Sequence, residues 1–90
     1  MTFKIERLVA GENDLVLRVC GRMQMECVNT IKELIEAENA TIVLDLSEVT
    51  LADGDVATFL AGCELKGIEL RSCPAFLRGW VDKERARIVP

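Results

Sequence analysis

The segment that most restricts this chain is Ile42 to Leu60, IVLDLSEVTLADGDVATFL, where an apolar run passes through polar residues into a helix beginning at Asp53. A strand, a polar turn and a presented helix N-terminus in direct succession describe half of a crossover unit. Such units bring parallel strands together beneath a helix and place the chain in the α/β class. A helix N-terminus also carries unpaired N–H groups and a partial positive charge, so Asp53, Gly54 and Asp55 occupy a position where anions and protein partners are commonly met.

The rest of the chain fits around that segment. Phe3 to Val9 alternates apolar and charged residues, and Gly11-Glu12-Asn13-Asp14 supplies turn chemistry, so a hairpin leads into a second strand that ends at Gly21. In that strand Leu15, Leu17 and Val19 share one face, with Val16, Arg18 and Cys20 on the other. From Gln24 to Glu38 the apolar positions Cys27, Val28, Ile31, Leu34 and Ile35 recur at helical spacing, while Lys32, Glu33, Glu36 and Glu38 take the wet side. Thr41 to Leu46 is apolar enough to predict a central strand covered on both faces. The helix after Asp53 is expected to run from Gly54 to Leu65, bury Val56, Phe59, Leu60 and Cys63, and stop at Lys66-Gly67. Ile68 to Arg71 reads as a short strand. Ser72 and Pro74 read as cap and first-turn proline of a third helix, with Phe76, Leu77, Trp80, Val81 and Glu84 on one side. The expected fold is α/β, one domain over residues 1–90, with a mixed four-stranded sheet and three helices in a single layer mainly on one face.

Composition narrows the function classes. Ninety residues leave room for one core, and half of them are hydrophobic, which favours a packed globule over disorder. A net charge of −4 argues against nucleic acid as the main partner, because such binding rests on cationic neutralisation of phosphates. The basic cluster Arg78, Lys83, Arg85 and Arg87 is interspersed with Asp82 and Glu84 and reads as a solvated helix face. No apolar run is long enough to span a bilayer, and Met1 to Ala10 lacks a signal-peptide core, so a cytoplasmic protein is expected. Cys20, Cys27, Cys63 and Cys73 form no C-x-x-C pair and histidine is absent, so neither metal nor cofactor is expected. The thiols read as small apolar packing groups, with Cys73 the one candidate for a lowered pKa at a helix start.

Two readings compete for the acids at the helix start. Asp53 as N-cap would accept hydrogen bonds from the N–H groups of Asp55 and Val56, and Asp55 would complement the helix dipole; both roles are structural. Alternatively, Asp53, Gly54, Asp55, Val56, Thr58 and Phe59 form a partner-binding surface. Asp53-Gly54-Asp55 also has the D-x-D form used by some phosphatases, but there the first acid ends a strand, and here it is expected to follow a turn, so catalysis is not expected. Trp80 is either core packing or an interface anchor, including one in a homodimer.

Leu44-Asp45-Leu46-Ser47-Glu48-Val49 and Asp53 resemble the signature V-D-L-S-x-V-x-x-I-D-S-S-G-L of the sulphate transporter and anti-sigma factor antagonist (STAS) domain. The likeness extends loosely over most of the chain. It implies a STAS-like fold and a non-catalytic protein-interaction module in signalling or transcription regulation, partnered by a kinase-type anti-sigma factor. The alternative it offers is a small subunit on the transport ATPase of a lipid-transporting membrane complex. The pattern departs at the phosphoacceptor: Gly54 follows Asp53 where phosphorylated members carry serine or threonine, and Asp55 comes next. The module is therefore expected to be non-phosphorylatable there, with Asp55 supplying permanent charge. Ser47 and Thr58 are the nearest hydroxyls. Members of this family usually continue with another strand and helix, for which Arg87 to Pro90 offers only a stub, so an uncovered sheet edge is expected.

Overall fold

Residue patterns of period two and period 3.6 alternate along the chain, and the computed structural model, which describes residues 3–38 and 40–88, realises both. The order is β1 (Phe3–Val9), β2 (Asp14–Met23), α1 (Met25–Ala37), β3 (Thr41–Ala52), α2 (Gly54–Leu65), β4 (Glu69–Arg71) and α3 (Ala75–Ile88). The strands form one mixed sheet in the order β1-β2-β3-β4. β1 and β2 are antiparallel, whereas β2 with β3 and β3 with β4 are parallel, each parallel pair being joined through a helix. The fold is thus the expected α/β arrangement of four strands and three helices.

The core lies between one face of the sheet and the helices. Leu15, Leu17 and Val19 of β2 and Ile42, Leu44 and Leu46 of β3 meet Cys27, Val28 and Ile31 of α1, Val56, Leu60 and Cys63 of α2, and Leu77 and Val81 of α3. Fully burying one such aliphatic side chain contributes about 1.5–3 kcal/mol. Because all three helices join this one cluster, no helix among the described residues covers the opposite sheet face, and the expectation that β3 is covered on both faces is corrected. Val43 is still buried on that open face because the register sets it beside Val16, with Leu8 and Glu69 completing the row across the strands. The next row alternates in charge, Glu6, Arg18, Asp45 and Arg71, and Arg18 lies 3.8 Å from Glu6 and 3.5 Å from Asp45.

β2 and β3 both run further than their sequences suggested. Gly21 does not end β2; its φ of 91° accommodates an irregularity and the strand continues to Met23. β3 carries extra residues near Ser47 and at Thr50, where the register with β2 shifts. At the first of these bulges the Asp45 carboxylate accepts the Ser47 N–H at 3.0 Å, replacing a ladder partner. Burial pushes the Asp45 pKa up, but the Ser47 N–H, the Ser47 hydroxyl and Arg18 together outweigh it and hold the carboxyl below its usual value.

The helix ends follow their local chemistry. α2 closes with a Schellman motif: Ile68 N–H donates to the Cys63 carbonyl at 3.0 Å, Gly67 N–H to the Glu64 carbonyl at 3.0 Å, and Gly67 takes a φ of 92°. The start of α3 differs from expectation. Ser72 does not cap it but takes a left-handed turn conformation with φ 53°, and the Pro74 carbonyl accepts from Leu77 and Arg78 N–H at 3.0 and 2.8 Å, so proline precedes the first turn. α3 leans mainly against α2 and buries Leu77 and Val81, whereas Phe76 and Trp80 are exposed. The Arg78 guanidinium donates to both Glu64 oxygens, at 3.0 and 2.6 Å, which pins α3 to α2. Arg85 and Arg87 likewise pair with Glu64 and Glu84, so much of the basic cluster is neutralised internally. Among the described residues no helix is long and apolar enough to cross a membrane. The stub Arg87 to Pro90 lies partly outside the described residues; Arg87 and Ile88 belong to α3.

Candidate functional site

A single residue, Asp53, separates β3 from α2, so the expected polar turn does not exist and the helix start is held directly at the carboxyl end of a core strand. Asp53 has extended dihedrals, and its Oδ1 accepts the Val56 N–H at 3.0 Å while its carbonyl accepts from Ala57 at 3.1 Å. Its side chain caps Val56 alone and not Asp55. The Asp55 carboxylate is exposed in the first turn, where the helix dipole favours negative charge. The first acid of the D-x-D thus directly follows a parallel strand rather than a turn, contrary to expectation. Among the described residues, however, no group of three histidine, cysteine or acidic side chains converges as a metal ion would require.

Gly54 is the position that the family resemblance assigns to the phosphoacceptor, and it is covered. A Cβ built there would stand 3.4 Å from Cζ2 of Trp80. Trp80 therefore reaches from α3 across the α2 N-terminus and remains 39% exposed, which makes it a partial lid rather than the core residue that one reading expected. The contact is ordinary van der Waals, so a small side chain at position 54 would fit against the indole.

The other predicted site residues divide. Val56 is fully buried and belongs to the core, so it is withdrawn from the surface; a residue one turn from the cap on the sheet side of α2 has no route to solvent. Thr58 is exposed, and its hydroxyl lies 3.1 Å from the Gly54 carbonyl and 2.6 Å from Glu84 Oε1. Its proton serves the shorter contact, and this hydrogen bond, with Arg87, holds the Glu84 carboxyl below its usual range. Phe59 is half-buried rather than a core residue. It lies under the Lys32 ammonium, 5.8 Å from the ring centroid, and forms a wall of a groove between α1 and α2. That groove, of about 400 Å³, runs past Ile35, Cys63 and Ile68, and a second depression of about 240 Å³ continues it to Met25 and Asp55.

Two exposed apolar residues were not anticipated. Met25 opens α1 and lines the second depression with Asp55, and Leu51 lies beside Arg22 near the end of β3; they are 42% and 47% exposed. Asp55 thus lies beside Met25, and Gly54 against Trp80. The signal in the sequence was topological: parallel strands bring their carboxyl ends, and the first residues of the helices that follow, to one side.

The cysteines are free thiols. Burial pushes Cys27 and Cys63 up to about 11. Cys73 is also raised, because burial outweighs the attraction of Arg78, so the lowered pKa expected at a helix start does not occur. No family model and no curated protein sequence matches this chain.

Proposed function

We propose that the chain is a non-catalytic, cytoplasmic protein-interaction module of the STAS type, docking its partner through the start of α2. The observation that carries this reading is the pair of exposed acids Asp53 and Asp55 at the start of α2, with Trp80 against Gly54 and Met25 beside Asp55. Large side chains of this kind, tryptophan above all, are enriched where binding energy concentrates, and an acidic rim selects a basic partner surface. The motif Asp45 to Val49 supports the STAS assignment through structure as well as sequence, since Asp45 and Ser47 stabilise the bulge that leads β3 to this joint.

Following the resemblance, the partner is a kinase-type anti-sigma factor, bound without a phosphorylation switch because Gly54 offers no hydroxyl. The absence of an acceptor equally favours the second reading, a constitutive small subunit on a transport ATPase. Affinity capture of the tagged chain from its native cells, with identification by mass spectrometry, separates the two. A kinase-fold regulator supports the first and an ATPase with membrane subunits the second. Asp55→Lys and Trp80→Ala should each lower recovery of that partner about tenfold or more, in line with loss of a hot-spot contact. Unchanged recovery with both variants folded would refute this surface.

A further inference from the structure

The topology leaves two sheet edges of unequal length, seven residues in β1 and three in β4. Ala10 N–H donates to the Asp14 carbonyl at 3.0 Å, continuing the ladder in which Val9 faces Leu15. In an antiparallel ladder inward and outward groups alternate, so Lys4, Glu6 and Leu8 turn their main-chain groups toward β2. Those of Phe3, Ile5 and Arg7 point out of the edge, where no described strand meets them. Lys4, Glu6 and Arg7 give this edge charge, but β1 contains no proline, its register has no bulge, and Val9 is 74% exposed.

We propose that β1 pairs antiparallel with β1 of a second copy, making one continuous sheet through both. A two-fold axis perpendicular to the sheet sets one residue opposite its own copy, and the charges select which. Centring on Lys4, Glu6 or Arg7 opposes like charges. Centring on Ile5 sets Lys4 opposite Glu6 of the second copy and Glu6 opposite its Lys4. It also lets the outward groups of Ile5 pair with their copy and those of Phe3 with Arg7. On the open face the same register extends the alternating row Arg71, Asp45, Arg18, Glu6 with Lys4 of the second copy, supplying Glu6 with a second cation. This inference does not rest on the proposed function, because β1 lies at the far side of β2 from β3 and α2.

Sedimentation and amide hydrogen exchange test it. The unmodified chain should associate to a dimer as its concentration rises toward about 0.5 mM, the weak regime of a small interface. In step with that, amides of Phe3, Ile5 and Arg7 should gain protection while those of Glu69 to Arg71 do not. Lys4→Glu and Glu6→Lys should each weaken dimerisation about tenfold or more, since each turns two attractive pairs into repulsive ones. Mixing the two variants in equal amounts should restore it, because every facing pair is then opposite in sign. A chain that stays monomeric, or dimers that ignore both reversals and leave the β1 amides unprotected, would overturn the proposal. The amide pattern of the unmodified chain decides the matter even where a variant is unstable.

Discussion

Single residues carry most of the testable chemistry. Asp53 caps α2 through one hydrogen bond to Val56, and Asp53→Ala should cost about 1 kcal/mol in urea denaturation, the usual value for a lost N-cap. Asp45 is held low in the folded chain by Ser47 and Arg18 against its own burial, so the stability it supplies is present above about pH 4 and lost as pH falls through its folded value. Asp45→Asn should flatten the acid limb of the stability profile. At the alkaline end the sign reverses. Cys27 and Cys63 are raised from 9.0 to about 11, so folding favours the neutral thiols: stability is level up to pH 9 and falls between 9 and 11. Replacing both by alanine should reduce that fall, and in the unmodified chain the two thiols should resist alkylation until the protein unfolds, whereas the half-buried Cys20 and Cys73 react first.

At the level of elements, the apolar periodicities located every strand and helix. What they did not reveal was continuity. Gly21 looks like a terminator and Ser47 to Leu51 like a turn, yet β2 and β3 lengthen each other through paired irregularities that neither sequence shows alone. The α3 start was misread for a related reason: a proline suits the first turn of a helix, but which residue supplies the first accepting carbonyl depends on the preceding turn, and Ser72 enters it left-handed. The face of α3 was blurred by Phe76 and Trp80, which share the apolar spacing of Leu77 and Val81 but stay exposed while those two are buried. Leu77→Ala should therefore cost about 2–5 kcal/mol, as cavities in a closed core do, and Trp80→Ala clearly less. Gly67→Ala should cost about 1 kcal/mol, because the left-handed residue of the Schellman motif penalises a Cβ; thermal unfolding measures all three.

For the whole molecule, the candidate site was legible as a position and not as a surface. The sequence locates the α2 start and its two acids correctly, but Met25 joins Asp55 only through the crossover, and Trp80 reaches Gly54 only through the packing of α3 on α2. Val56 was read both as a buried residue of α2 and as part of the partner surface, and its full burial bears out the first and removes it from the second. The lesson extends to the joint itself. A strand hydrogen-bonded along its length, one capping residue and a helix seated on the same core tie the start of α2 to the sheet. Shifting the α2 start relative to β3 would therefore break the Asp53 cap or open the core around Val56 and Leu60, so the last residue of the strand and the first of the helix travel as one piece.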